Sequence, residues 1–61
     1  MKEIATGDAV AWYSRRRDEI QWGVVMRKAL GRKGEELAYC QQPDLPRGHW
    51  VQVRRLTLLR T

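Results

Sequence analysis

The sequence predicts an all-β domain in which five short antiparallel strands curl into a small barrel, with one tight turn before the last strand. Three observations predict it. Runs of apolar, β-branched and aromatic residues are separated by turn residues at nearly regular spacing. The second run is apolar on both faces and carries an interior glycine, which suits a bent or bulged strand better than a helix. Finally, curling into a barrel removes the exposed edges that so short a sheet would otherwise carry. With 61 residues, the chain is expected to form one domain, 1–61. A chain of this size buries only about 60% of the surface its unfolded form exposes, so a deep, enclosed catalytic cleft is not expected.

Each element has its own signal. DAVAWYS, residues 8–14, is rich in strand formers and follows the turn-type pair Gly7-Asp8, giving strand one. RRRDEI, 15–20, is its loop, and QWGVVMRK, 21–28, is strand two. ALGRKGEE holds two glycines three apart and reads as a turn, after which ELAYC, 36–40, resumes the strand pattern. QQPDLPRG, 41–48, contains both prolines, which cannot donate to a ladder, and is a loop. HWVQV, 49–53, alternates around Gln52 as strand four. RRLTLLRT admits two readings: a short basic helix along Val53, Leu56 and Arg60, or a tight turn at Arg54 to Leu56 leading to a fifth strand, TLL. The second is favoured.

GDAVAW at 7–12, WGVV at 22–25 and WVQVRRL at 50–56 resemble the pattern of SH3-like small barrels. The likeness is greatest to Tudor and KOW-type modules and to the C-terminal DNA-binding barrel of retroviral integrases. It spans almost the whole chain and implies fold more than function.

Charge narrows the partners. Twelve basic residues against seven acidic ones leave a net charge of +5, a field that favours nucleic acid, anionic membranes or acidic protein surfaces. Nine of the twelve cations are arginine, whose planar fork suits bidentate phosphate contacts and stacking on flat rings. Three Trp and two Tyr with no Phe is an uneven aromatic choice, and it points to rings that meet water or a ligand. The single cysteine, Cys40, excludes an internal disulfide, and MKEIATGD has no apolar run of signal-peptide length, so a cytoplasmic protein is expected. The longest apolar run, AVAWY, falls far short of the roughly 20 residues of a membrane span.

In a meander, alternate loops lie at opposite ends, which sorts the charges into two poles. One pole holds Arg15, Arg16, Arg17 and Arg47 against Asp18, Glu19 and Asp44, net +1. The other holds Arg27, Lys28, Arg32, Lys33, Arg54 and Arg55 against Asp8, Glu35 and Glu36, net +3. Asp18 and Glu19 are expected to offset the arginine triplet, leaving the second pole to hold a ligand that the triplet orients. The rings Trp12, Tyr13, Trp22, Tyr39 and Trp50 fall toward the first pole. Pairing Ser14 with Gln21 and Cys40 with His49 aligns Trp12, Gly23, Tyr39 and Trp50 in one cross-strand row, with Gly23 making room for the rings.

Rings beside arginines are what single-stranded nucleic acid uses, whereas rings flanked by acids suit a methylated lysine or arginine. The Tudor resemblance implies cage rings at Trp12, Trp22 and Tyr39, although the surrounding arginines depart from a cage for a cation. GRKG at 31–34 matches the GxxG loop of KH domains, which clamps an RNA backbone between helices. One His and one Cys make neither a catalytic triad nor a metal site. VQVR at 51–54 is similar to the Val-Gln-Ile-Tyr motif in the tetrameric pore of plasmid-borne type II dihydrofolate reductases, with Arg54 in place of the tyrosine. No Walker loop or dinucleotide fingerprint is present.

The reading that results is a non-enzymatic accessory or regulatory protein that binds nucleic acid through backbone phosphates, without cofactor or metal. Arg15, Arg16, Arg17, Arg27, Lys28, Arg32, Lys33, Arg54 and Arg55 hold phosphate, and Trp22 and Trp50 stack. The alternative is a protein-interaction module whose ring-lined pole takes a peptide or a partner subunit, and the third reading is the reductase. DNA against RNA, single against double strands, and oligomeric state stay open at this level.

Overall fold

The computed structural model describes residues 3–59 and contains one antiparallel sheet. Its strands are β1 (Ala9–Ser14), β2 (Glu19–Leu30), β3 (Glu36–Gln41), β4 (His49–Gln52) and β5 (Thr57–Leu58). A single 3-10 turn, Val53–Arg55, precedes β5, so the helical reading of this segment is overturned within the described residues. Arg60, the last residue of that helix reading, lies outside them. The strand order is β4-β3-β2-β1-β5. The barrel does not close, because β4 and β5 are the two edges of the sheet and do not pair with each other. No helix among the described residues is long and apolar enough to cross a membrane.

Alternation along the strands buries one face. Val10 and Trp12 of β1, Val25 of β2, Ala38 and Cys40 of β3 and Val51 of β4 form the core with Ile4, Val53 and Leu56. The 3-10 turn is what brings Val53 and Leu56 inward: Leu56 N–H donates to Val53 O at 3.0 Å, and both side chains are buried. Lys28 ties the N-terminal segment down, donating from Nζ to Ile4 O at 2.7 Å while pairing with Glu36 at 3.1 Å.

Two features of β2 depart from the sequence expectation. The strand is longer than 21–28 because the β1–β2 hairpin closes at Ser14–Glu19, two residues tighter than Ser14–Gln21. Asp18 makes this possible by adopting φ +52, a left-handed conformation that Asp tolerates better than most residues. Second, a β-bulge lies between Val25 and Arg27, not at Gly23. A bulge inserts one unpaired residue and shifts the in-out phase of the strand. Val25 therefore faces the core opposite Cys40, while Arg27 lies opposite Tyr39 on the outer face.

The bulge breaks the expected row of rings. Tyr39 does pair with Trp50, as the Cys40–His49 register requires, but both are outward. Trp12 and Gly23 lie on the inner face, where a Cβ on Gly23 would sit 3.5 Å from the Trp12 ring and 2.7 Å from Gln41 O. Gly23 thus makes room for one ring and for the neighbouring strand.

Candidate nucleic-acid interface

The β1–β2 loop, 15–18, carries the arginine triplet exposed at the end of the sheet. Its acids are occupied elsewhere. The Tyr13 hydroxyl donates to Asp18, and Glu19 Oε1 accepts from Gln21 Nε2 at 2.9 Å. That hydrogen bond to Asp18, with a smaller contribution from desolvation, raises the Tyr13 phenol above its ordinary pKa. Among the described residues, Arg15, Arg16 and Arg17 make no ion pair. Asp18 and Glu19 therefore lower the local field without clamping the triplet.

The structure moves Arg55 between poles. β5 pairs antiparallel with β1, so the chain leaving the 3-10 turn arrives beside the end of β1. Arg55 Nη2 donates to Tyr13 O at 3.0 Å and joins the triplet, not the 27–36 turn where the meander rule placed it. That transfer leaves the two poles with equal formal charge. Arg54 borders both ends, and its Nε donates to Gln52 Oε1 at 3.0 Å. Gln52 is thereby engaged and Val51 is buried, which describes how the VQVR segment is used in this fold.

Between the triplet and β4 lies a groove of about 530 Å³, lined among others by Tyr13, Arg15, Arg16, Arg17, Trp50 and Arg55. Gln21, Gln42 and His49 also reach it. The proline-bearing loop is held in place by Gln41 Nε2 donating to Leu45 O at 2.8 Å and by Gly48 N–H donating to Tyr39 Oη at 3.0 Å. Sequence reasoning missed Tyr13 as a lining residue of this groove. It missed Gln21 and Gln42 as well, because an amide pair made across strands leaves no local signal.

The remaining candidates lie away from this groove, and Arg32, Lys33 and Arg54 line a second, wider one of about 1250 Å³ together with Leu30, Glu35 and Glu36. Arg27 lies over the rings of Tyr39 and Trp50, 5.4 and 5.9 Å from their centroids, on the outer face. Lys28 is engaged by Glu36 and Ile4. Arg32 and Lys33 are exposed in the β2–β3 turn, where Gly34 takes φ +80 and Gly34 N–H donates to Gly31 O at 3.0 Å. This GRKG turn joins two strands, so the helix-flanked GxxG reading is overturned. Trp22 is outward and 51% exposed, whereas Trp12 is in the core. With Trp12 and Trp22 on opposite faces, Trp12, Trp22 and Tyr39 do not enclose one cation, and the chain's own Arg27 already occupies the Tyr39 ring. Cys40 is buried, which pushes its thiol pKa up, the reverse of what a nucleophile needs. No cluster of metal-binding side chains occurs among the described residues.

Comparison with protein-family models, with curated proteins and with solved structures returned no match.

Proposed function

We propose that this chain is a small, non-enzymatic nucleic-acid-binding protein with an accessory or regulatory role. One observation carries the reading: four arginines without ion pairs among the described residues, Arg15, Arg16, Arg17 and Arg55, border a single groove with Tyr13 and Trp50. Guanidinium groups around a concave surface suit phosphate oxygens, which they meet bidentately, and the rings add stacking. Phosphate binding releases counterions, so log affinity should fall linearly with log salt, by about 0.9 per duplex contact or about 0.7 per single-strand contact. Titration of labelled oligonucleotides at several salt concentrations tests this. Undetectable binding to every oligonucleotide at low salt would sink it.

A second reading, a module that docks a peptide or partner subunit, is supported by an adjoining surface that shares Tyr13 with the groove. On the outer face of β1 and β2, Tyr13 pairs with Ile20 and Ala11 with Trp22, and the three large side chains are 44%, 67% and 51% exposed. Contiguous exposed apolar side chains of this kind mark interaction sites. Ile20 offers no stacking surface, so that face suits protein better than bases. Weakening of partner capture by Ile20→Glu, with oligonucleotide affinity unchanged, would separate the two readings.

A further inference from the structure

We infer that the groove takes single-stranded nucleic acid, seating an unstacked base, in preference to duplex; this rests on the nucleic-acid reading above. A duplex keeps its bases stacked inside and presents phosphates outward, so it engages guanidinium groups but not rings beside them. Here Tyr13 and Trp50 line one concavity together with four arginines. Tyr13 and Trp50 are 44% and 47% exposed, supported on one part and open on the rest. Trp50 is further fixed by the Tyr39 ring, 5.2 Å away at 58°, and by Arg27. A ring already held in place gives up little freedom when a base stacks on it.

Hydrogen bonding at the groove matches an unpaired base. Gln42 Nε2 donates to Gln21 Oε1 at 2.7 Å, and Gln21 Nε2 donates onward to Glu19 Oε1 at 2.9 Å. This chain orients both amides and leaves Gln42 Oε1 and one N–H of each amide for a ligand. A donor and an acceptor offered together suit the edge of any base, which accords with low sequence preference. In a duplex the Watson–Crick edge is occupied and only the groove edges remain open.

The test compares a labelled oligothymidylate with a duplex of the same length, by anisotropy across a salt series, with tryptophan fluorescence read in parallel. The single strand should bind about 5- to 150-fold more tightly, the equivalent of about 1 to 3 kcal/mol for one stacked base. It should also quench tryptophan emission. Trp50→Leu should abolish the preference, and Trp50→Phe should restore part of it. Equal or tighter binding of duplex overturns the inference while leaving the nucleic-acid reading intact, as does a Trp50→Leu variant that weakens both ligands alike. Failure of both ligands to bind at low salt overturns the two together. The wild-type comparison does not depend on whether the variants fold.

Discussion

Chemically identical side chains in this protein do different work because strand phase assigns them to opposite faces. Trp12 is 7% exposed and Trp22 is 51% exposed. Trp12→Ala should cost about 3 to 5 kcal/mol, the range for emptying a large core position, whereas Trp22→Ala should stay within about 0.5 kcal/mol of wild type. Thermal denaturation of the two variants checks this, and similar losses in both would contradict the face assignment. Gly23 is constrained by contact, not by backbone angle: an added Cβ would meet Gln41 O at 2.7 Å. Gly23→Ala should therefore destabilise by about 1 to 3 kcal/mol, although alanine suits strands better than glycine elsewhere. Tyr13 supplies a pH signature. Its hydrogen bond to Asp18 favours the neutral phenol and raises the folded pKa above 10.0. Any stability this bond contributes is fully present below the unfolded value and is lost as pH rises through the folded one. An absorbance titration should show a phenolate transition above the ordinary tyrosine range, and Asp18→Asn should bring it down.

At the scale of elements, the strands were legible from their composition, but their ends and phases were not. β3 and β4 fall within a residue of their expected bounds, since the glycine turn and the two prolines delimit them on either side. β2 was misjudged at both ends. Hydrophobicity marks where a strand is buried, while Glu19, Ile20, Ala29 and Leu30 are exposed yet still paired. The bulge left no mark on the apolar pattern, because Val24, Val25 and Met26 are apolar whichever face they take. Deleting Met26, the unpaired residue, should leave Val25 opposite Cys40 and Arg27 opposite Tyr39 in a regular ladder. We expect that variant to keep a cooperative thermal transition by circular dichroism. Deleting the paired Val24 should instead put Gly23 and Val25 on opposite faces and abolish the transition. A Val24 deletion that melts cooperatively at the wild-type temperature would mean that strand phase does not hold the core.

For the molecule as a whole, the distribution of charge follows from how the sheet curls. The meander rule assumes that each strand ends opposite its start, and it fails at the 3-10 turn, which carries the chain across to β1. Arg55 thereby leaves one pole for the other. The arginine triplet is expected to be the main phosphate site, reversing the order of importance that charge counting implied. Changing Arg15, Arg16 and Arg17 to Ala should flatten the salt slope by up to about three contacts, whereas Arg32→Ala with Lys33→Ala should flatten it by less per charge removed. Lys28→Ala should lower the melting temperature, through loss of its bond to Ile4, more than Glu36→Gln does, since an exposed ion pair contributes only about 0 to 1 kcal/mol. A triplet variant with undiminished slope would return the phosphate site to the 27–36 turn.

The all-β class, the five strands, the single turn before the last strand, the Tyr39–Trp50 pairing and the cationic character could all be read from the chain. These depend on local composition, on turn chemistry and on a short hairpin register, all of which act over a few residues. Long-range packing settles which tryptophan is core, that the barrel stays open, and that Arg55 and the Gln21–Gln42 amide pair meet the triplet at one groove. Those outcomes turn on one inserted residue in β2 and one reversal after β4. A shift of a single residue exchanges the two faces of a sheet, and no local preference in the chain is large enough to report it.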